Sequence, residues 1–143
     1  MEKIRVRFTA DEDIVSTVIR FGTWSEYSHV DFITSSGKAI GCWPDDGVQY
    51  HDRTADRVQF AEIEVNSAAR VEEFILAQLG KEYDWSAIFG MFVRRDWNNP
   101  DKWFCSELIA AALLYDNIVI AKKESNRITP QDLLESPLVK LVG

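Results

Sequence analysis

The run from Trp103 to Tyr115, Trp-Phe-Cys-Ser-Glu-Leu-Ile-Ala-Ala-Ala-Leu-Leu-Tyr, restricts the fold of this chain more than any other stretch. Leu108, Ile109, Ala112 and Tyr115 recur at helical spacing, and the alanines between them add helix propensity. A helix this apolar has to be buried, so the remaining chain must supply surfaces that cover it. The polar, turn-rich segment Arg94–Lys102 ends just ahead of the helix, which puts Cys105 in or just before its first turn. Free backbone N–H groups and the positive end of the helix dipole favour a thiolate there, and the thiolate is the reactive form of cysteine. Free cysteine also serves as a small buried hydrophobe, so position alone leaves both roles open.

The rest of the chain is organised as strands and short helices. Lys3–Thr9 alternates, with Ile4, Val6 and Phe8 on one face of a strand. Thr9 or Asp11 can cap a short helix carrying Ile14, Val15, Val18 and Ile19, which stops near Gly22; Thr23–Tyr27 links onward. Ser28–Thr34 and Lys38–Trp43 form a hairpin through Ser35-Ser36-Gly37. Pro44–Gly47 is a turn, Val48–Tyr50 a short strand, and Arg57–Val65 a longer one with an expected irregularity near Ala61. Ser67 heads a helix with Val71, Phe74, Ile75 and Leu79, ending at Gly80. Trp85, Ile88, Phe89, Phe92 and Val93 give a further helical stripe, read as core packing before lipid contact. Thr129-Pro130-Gln131-Asp132 starts a capped short helix with proline first, and Leu138–Val142 adds a last strand. Residues 1–143 are thus expected to form one α+β domain. Its antiparallel sheet of about five or six strands would pack against several helices.

Charge and spacing exclude several function classes. With 16 basic against 23 acidic residues the net charge is −7, which argues against nucleic acid and against charge-driven binding to anionic membranes. No apolar run is long enough for a membrane-spanning helix, and the alternating start lacks the pattern of a signal peptide. The two cysteines, Cys42 and Cys105, are accordingly expected as reduced thiols in a cytoplasmic chain. Neither they nor His29 and His51 show paired metal-ligand spacing, so no metal is expected. Gly80-Lys81 lacks the remainder of a phosphate loop, and no cofactor is expected.

A thiol that works as a nucleophile needs a base held on a rigid element and facing it. His29 lies at the start of a strand, sharing a face with Asp31 and Ile33 while Val30 and Phe32 take the other. That position suits a base, although a lone strand histidine is commonly structural. His51, in Tyr-His-Asp-Arg, is expected at the surface.

Four segments occur in a telling order: Ser28-His29-Val30 at a strand start, Gly47-Val48, Gly80-Lys81-Glu82-Tyr83-Asp84, and Phe104-Cys105-Ser106-Glu107-Leu108-Ile109. The order resembles the circularly permuted papain-like hydrolases of the NlpC type, the YiiX-like and lecithin-retinol-acyltransferase-like group, in which histidine precedes cysteine. Small forms of this fold, some phage-encoded, are similar in size. The resemblance spans about Tyr27 to Tyr115 and implies a permuted papain-like fold with Cys105 as nucleophile and His29 as general base. It also implies that Tyr83 supplies an oxyanion donor or lines the site, against the alternative of a buried structural tyrosine.

Such sites carry a third polar residue beside the histidine, but the facing segment Gly41-Cys42-Trp43-Pro44 offers none. Asp31 on the histidine's own strand, or Asp45 or Asp46 beyond the facing one, could take that place. Trp97 and Trp103 flank the loop ahead of Cys105, as groove walls or as packing. The implied substrate is a peptide or amide, cell-wall peptide included, reached by a phage product at lysis or from a virion. The alternatives are a catalytically silent binding module and an acyltransferase or esterase acting on lipid.

Overall fold

The computed structural model describes residues 2–10, 27, 29–43, 46–52, 55–83, 102–103, 105–121 and 128–142. Its sheet is built around the N-terminal strand, β1 (Glu2–Ala10), whose alternation buries Ile4, Val6 and Phe8. On one side β1 pairs with β2 (His29–Ile33), and on the other with β5 (Arg57–Val65), both antiparallel. β3 (Ala39–Trp43), β4 (Gly47–His51) and β8 (Val139–Val142) complete a six-stranded antiparallel sheet in the order β4-β3-β2-β1-β5-β8. The β2–β3 hairpin turns as expected: Gly37 N donates to Thr34 O at 2.9 Å, and Gly37 takes φ +87°, a conformation open to glycine at little cost. The irregularity expected near Ala61 does not occur. Val6 faces Ala61 in an unbroken β1–β5 register, because Ala61 simply takes an inward position between β1 and β8.

Val6, Phe8, Val30, Phe32, Ile40 and Val48 point to one face of the sheet and form the core with the helices. Helix α1 (Ala68–Leu76) is capped by Ser67, whose side chain accepts from Arg70 N, and it buries Val71 and Ile75. It stops at Leu76, short of the expected Gly80, and turns carry the chain through Leu79 to Gly80. Helix α2 (Cys105–Tyr115) packs against α1 and lies across β2 and β3, so that Cys105 through Ala110, Ala112 and Leu113 are all buried. The apolar run therefore forms the central helix. Its end is set by Asn117, at φ +63°, with Ile118 N returning to Leu113 O at 2.8 Å, a left-handed C-terminal closure. Helix α3 (Pro130–Glu135) has the expected capping box, Thr129 with Asp132, and proline in its first turn. No helix among the described residues is long and apolar enough to cross a membrane. The helices expected at Ile14–Ile19 and Trp85–Val93 lie outside the described residues.

One tie between the helices has no counterpart in the sequence reading. Asp116, 0% exposed, accepts from Asn66 N at 2.7 Å and Ser67 N at 3.0 Å, joining the end of α2 to the start of α1. Asp116→Ala would strand these donors, and we expect a loss of about 2 kcal/mol. Urea unfolding measures it, and a change below about 0.5 kcal/mol would mean the tie is dispensable.

Candidate active site

Gly47 and Val48 dock the loop that leads toward Cys105. Val48 N donates to Lys81 O at 2.8 Å, and Gly80 N donates back to Val48 O at 2.9 Å. A Cβ at Gly47, which has φ +71°, would overlap the Lys81 carbonyl, so glycine is required for this approach. From there β6 (Glu82–Tyr83) pairs in parallel with β7 (Lys102–Trp103), Tyr83 beside Trp103, and α2 begins two residues later at Cys105. The motif fragments Gly47-Val48, Gly80–Tyr83 and Cys105 are thus joined through the backbone. For Tyr83 and Trp103 the description extends to the backbone alone.

His29 opens β2, across from Thr9 of β1, and its ring comes within hydrogen-bonding reach of Cys105 at the head of α2. Both side chains are buried, His29 at 5% exposure and Cys105 at 1%. Neither Cys105 nor Cys42 is in a disulfide.

A buried carboxylate lies beside His29 on its own strand. Asp31, two positions along the same face and 0% exposed, makes a short hydrogen bond through Oδ1 to His29 Nε2. That leaves Nδ1 as the ring nitrogen available to the thiol. The other carboxylate oxygen, Oδ2, accepts from Arg7 Nη2 at 2.6 Å, and Arg7 stands directly across from Asp31 in the β1–β2 register. Of the other carboxylates considered, Asp46 lies 3.6 Å from His51 Nε2, and Asp45 falls outside the described residues, as does Trp97.

Gly41 explains why the facing strand carries no polar side chain. The β2–β3 register, Phe32 with Ile40 and Ile33 with Ala39, runs on to place Gly41 opposite Asp31. A Cβ on Gly41 would overlap Asp31 Oδ1 and come within 2.8 Å of His29 Nε2. The volume of a side chain at position 41 is occupied by the Asp31 carboxylate itself.

Trp43 closes the site on another side. Its indole stacks on the His29 ring with centroids 3.8 Å apart and planes 28° from parallel. His51 meets Trp43 edge-on at 5.4 Å, and its side chain is only 4% exposed. The surface position expected for His51 is therefore corrected: an aromatic neighbour one strand away covers it. Sequence reading also missed Arg7 and Trp43. Both share the outer-face parity of His29 and Asp31, a signal that becomes usable only once the strand order is known.

The electrostatics follow from this packing. Burial pushes His29 toward the neutral form, but the charge of Asp31 and the neighbouring Cys105, with their hydrogen bonds, outweigh it and raise its pKa to about 10. Burial likewise pushes Asp31 up, yet His29 and Arg7 together hold it below the usual carboxylate range. The arrangement is that of a histidine held between a thiol and a carboxylate, able as the neutral imidazole to receive a proton from sulfur and as the imidazolium to deliver it elsewhere.

No protein-family description matches this sequence, and no curated protein matches it. Among solved structures, the crystal structure of the metalloprotein YiiX from Escherichia coli O157:H7 is similar at a TM-score of 0.73. The sequences are 15% identical, and the match covers 99% of this chain and 96% of that one. The likeness is one of fold: this chain has a YiiX-like, papain-like architecture, with an antiparallel sheet under a buried helix that begins at the cysteine.

Proposed function

We propose that this chain is a cysteine-dependent hydrolase of amide or peptide bonds, with Cys105 as nucleophile, His29 as proton carrier and Asp31 as the residue that orients His29. The buried contact of Cys105 with a histidine that is itself bonded to a buried carboxylate supports this most directly. In the resting site the Cys105 proton resides on His29. The thiolate attacks the carbonyl carbon, a C–S bond forms, and the oxyanion is held by backbone N–H groups at the start of α2. The C–N bond then breaks as His29 gives its proton to the leaving nitrogen. Water adds to the thioester carbonyl, passing a proton to His29, and the C–S bond breaks to release the acid and restore the thiolate. Asp31 keeps the imidazole turned toward sulfur throughout.

YiiX is described as a metalloprotein. Among the described residues here, no three His, Cys, Asp or Glu side chains converge as a bound metal ion would require. Asp31 is moreover already held by His29 and Arg7.

The test is the pH dependence of Cys105 alkylation by iodoacetamide, in a Cys42→Ala background with and without His29→Ala. An isolated thiol with a pKa near 8.5 is only about 0.3% thiolate at pH 6. We expect the parent protein to alkylate readily at pH 6 and His29→Ala to slow it at least about tenfold. Equal rates in the two proteins would remove the hydrolase reading in favour of a binding module built on the same fold. A confirmed pair would justify screening peptides and amides first, then acyl lipids.

A further inference from the structure

Arg7 takes no part in the steps above, yet it completes their charge balance. With the proton on His29, the buried trio carries a thiolate, an imidazolium and a carboxylate, leaving one uncompensated negative charge away from water. Such a charge is strongly disfavoured, and the trio can shed it by leaving the proton on Cys105 or by protonating Asp31. Either outcome removes the reactive state. Arg7, from β1, supplies the fourth charge. Its side chain is 14% exposed, and its Nη2 lies 2.6 Å from Asp31 Oδ2. The carboxylate is thereby shared, one oxygen to Arg7 and the other to His29, which fixes its rotation.

We propose that Arg7 is a positioning residue of the site: by holding Asp31 ionised and in one orientation, it keeps His29 turned toward Cys105 and admits the thiolate–imidazolium pair. The inference rests on the roles assigned above to Cys105 and His29.

Among the described residues, the surroundings single out Arg7. On the same face, β3 presents Ala39, Gly41 and Trp43, none of them ionisable. His51 of β4 reaches the site through the edge of Trp43, with Asp46 as its acidic neighbour. From α2 comes Cys105 itself. The next cation on β1, Arg5, faces Glu62 of β5 at 3.6 Å instead. Arginine also suits the place chemically, because it stays protonated at any pH of interest and its planar fork fixes a carboxylate in direction as well as in charge.

A purely structural ion pair would look the same in the folded protein, so the test reads the reactivity of Cys105. Iodoacetamide profiles from pH 5 to 9 would be recorded in the Cys42→Ala background for Arg7→Gln, Arg7→Lys, Asp31→Asn and the Arg7→Gln/Asp31→Asn double variant. Circular dichroism would establish that each is folded. We expect Arg7→Gln to slow alkylation at pH 6 by about tenfold, and Arg7→Lys, which keeps the charge, to stay within about threefold of the parent. Because Arg7 acts through Asp31, the double variant should be no slower than Asp31→Asn alone. A folded Arg7→Gln protein with the parent's profile would overturn the proposal. So would an Arg7→Gln effect that persists undiminished in the Asp31→Asn background, or loss of folding in both Arg7 variants, which would leave a structural ion pair only. If His29→Ala slows alkylation and Arg7→Gln does not, the role of Arg7 alone fails. If His29→Ala changes nothing, the hydrolase reading and this inference fall together.

Discussion

Gly41→Ala is expected to destabilise the protein by about 3 kcal/mol and to bring Cys105 alkylation at pH 6 down to the level of His29→Ala. In an ordinary strand the same change is favourable by up to about 1 kcal/mol, since alanine loses less backbone freedom on folding than glycine. Here the added methyl would overlap Asp31 Oδ1 and crowd His29 Nε2. The carboxylate has nowhere to retreat, because Arg7 holds its other oxygen and the side chain is 0% exposed. Any movement that admits the methyl breaks a buried charge pair and leaves its members uncompensated. Urea unfolding and the alkylation profile check the two halves separately. A Gly41→Ala protein as stable and as reactive as the parent would show that the carboxylate does not need this space.

The same charge cluster predicts a pH dependence of stability with a definite sign. His29 rises from 6.5 to about 10 on folding, so its contribution is complete below pH 6.5 and disappears as the pH climbs toward 10. Asp31 is lowered from 3.8, so its contribution is complete above that value and is lost as the pH falls through its folded-state pKa. Because the proton that His29 holds in the folded site comes from Cys105, the folded and unfolded pair bind equal numbers of protons between about pH 6.5 and 8.5, and stability is level there. Between pH 8.5 and pH 10, where the unfolded thiol has lost its proton and the folded pair still keeps one, the unfolding free energy should drop by about 2 kcal/mol. His29→Ala should be less stable at pH 6 and nearly level across that interval. Urea midpoints at a series of pH values measure both, and a parent curve as level as that of His29→Ala would mean that His29 is not held protonated in the fold.

What was legible in the sequence is what depends on neighbours along the chain. The period-two pattern of Lys3–Thr9 and Arg57–Val65, the Ser35–Gly37 turn, the Thr129–Asp132 cap and the apolar helix behind Cys105 each declare themselves within a dozen residues, and each is present. The same alternation put His29 and Asp31 on one face. It could not choose Asp31 over Asp45 or Asp46, because that choice depends on what stands across the strand. Only the tertiary structure, by seating β2 between β1 and β3, set Arg7 against Asp31 and emptied position 41 for its carboxylate. It likewise turned His51 inward against Trp43 and drew Asp116 onto the start of α1. Periodicity fixes the face a side chain occupies; the partner it meets there is fixed by strand order and by helix packing, which join residues with no proximity in the chain.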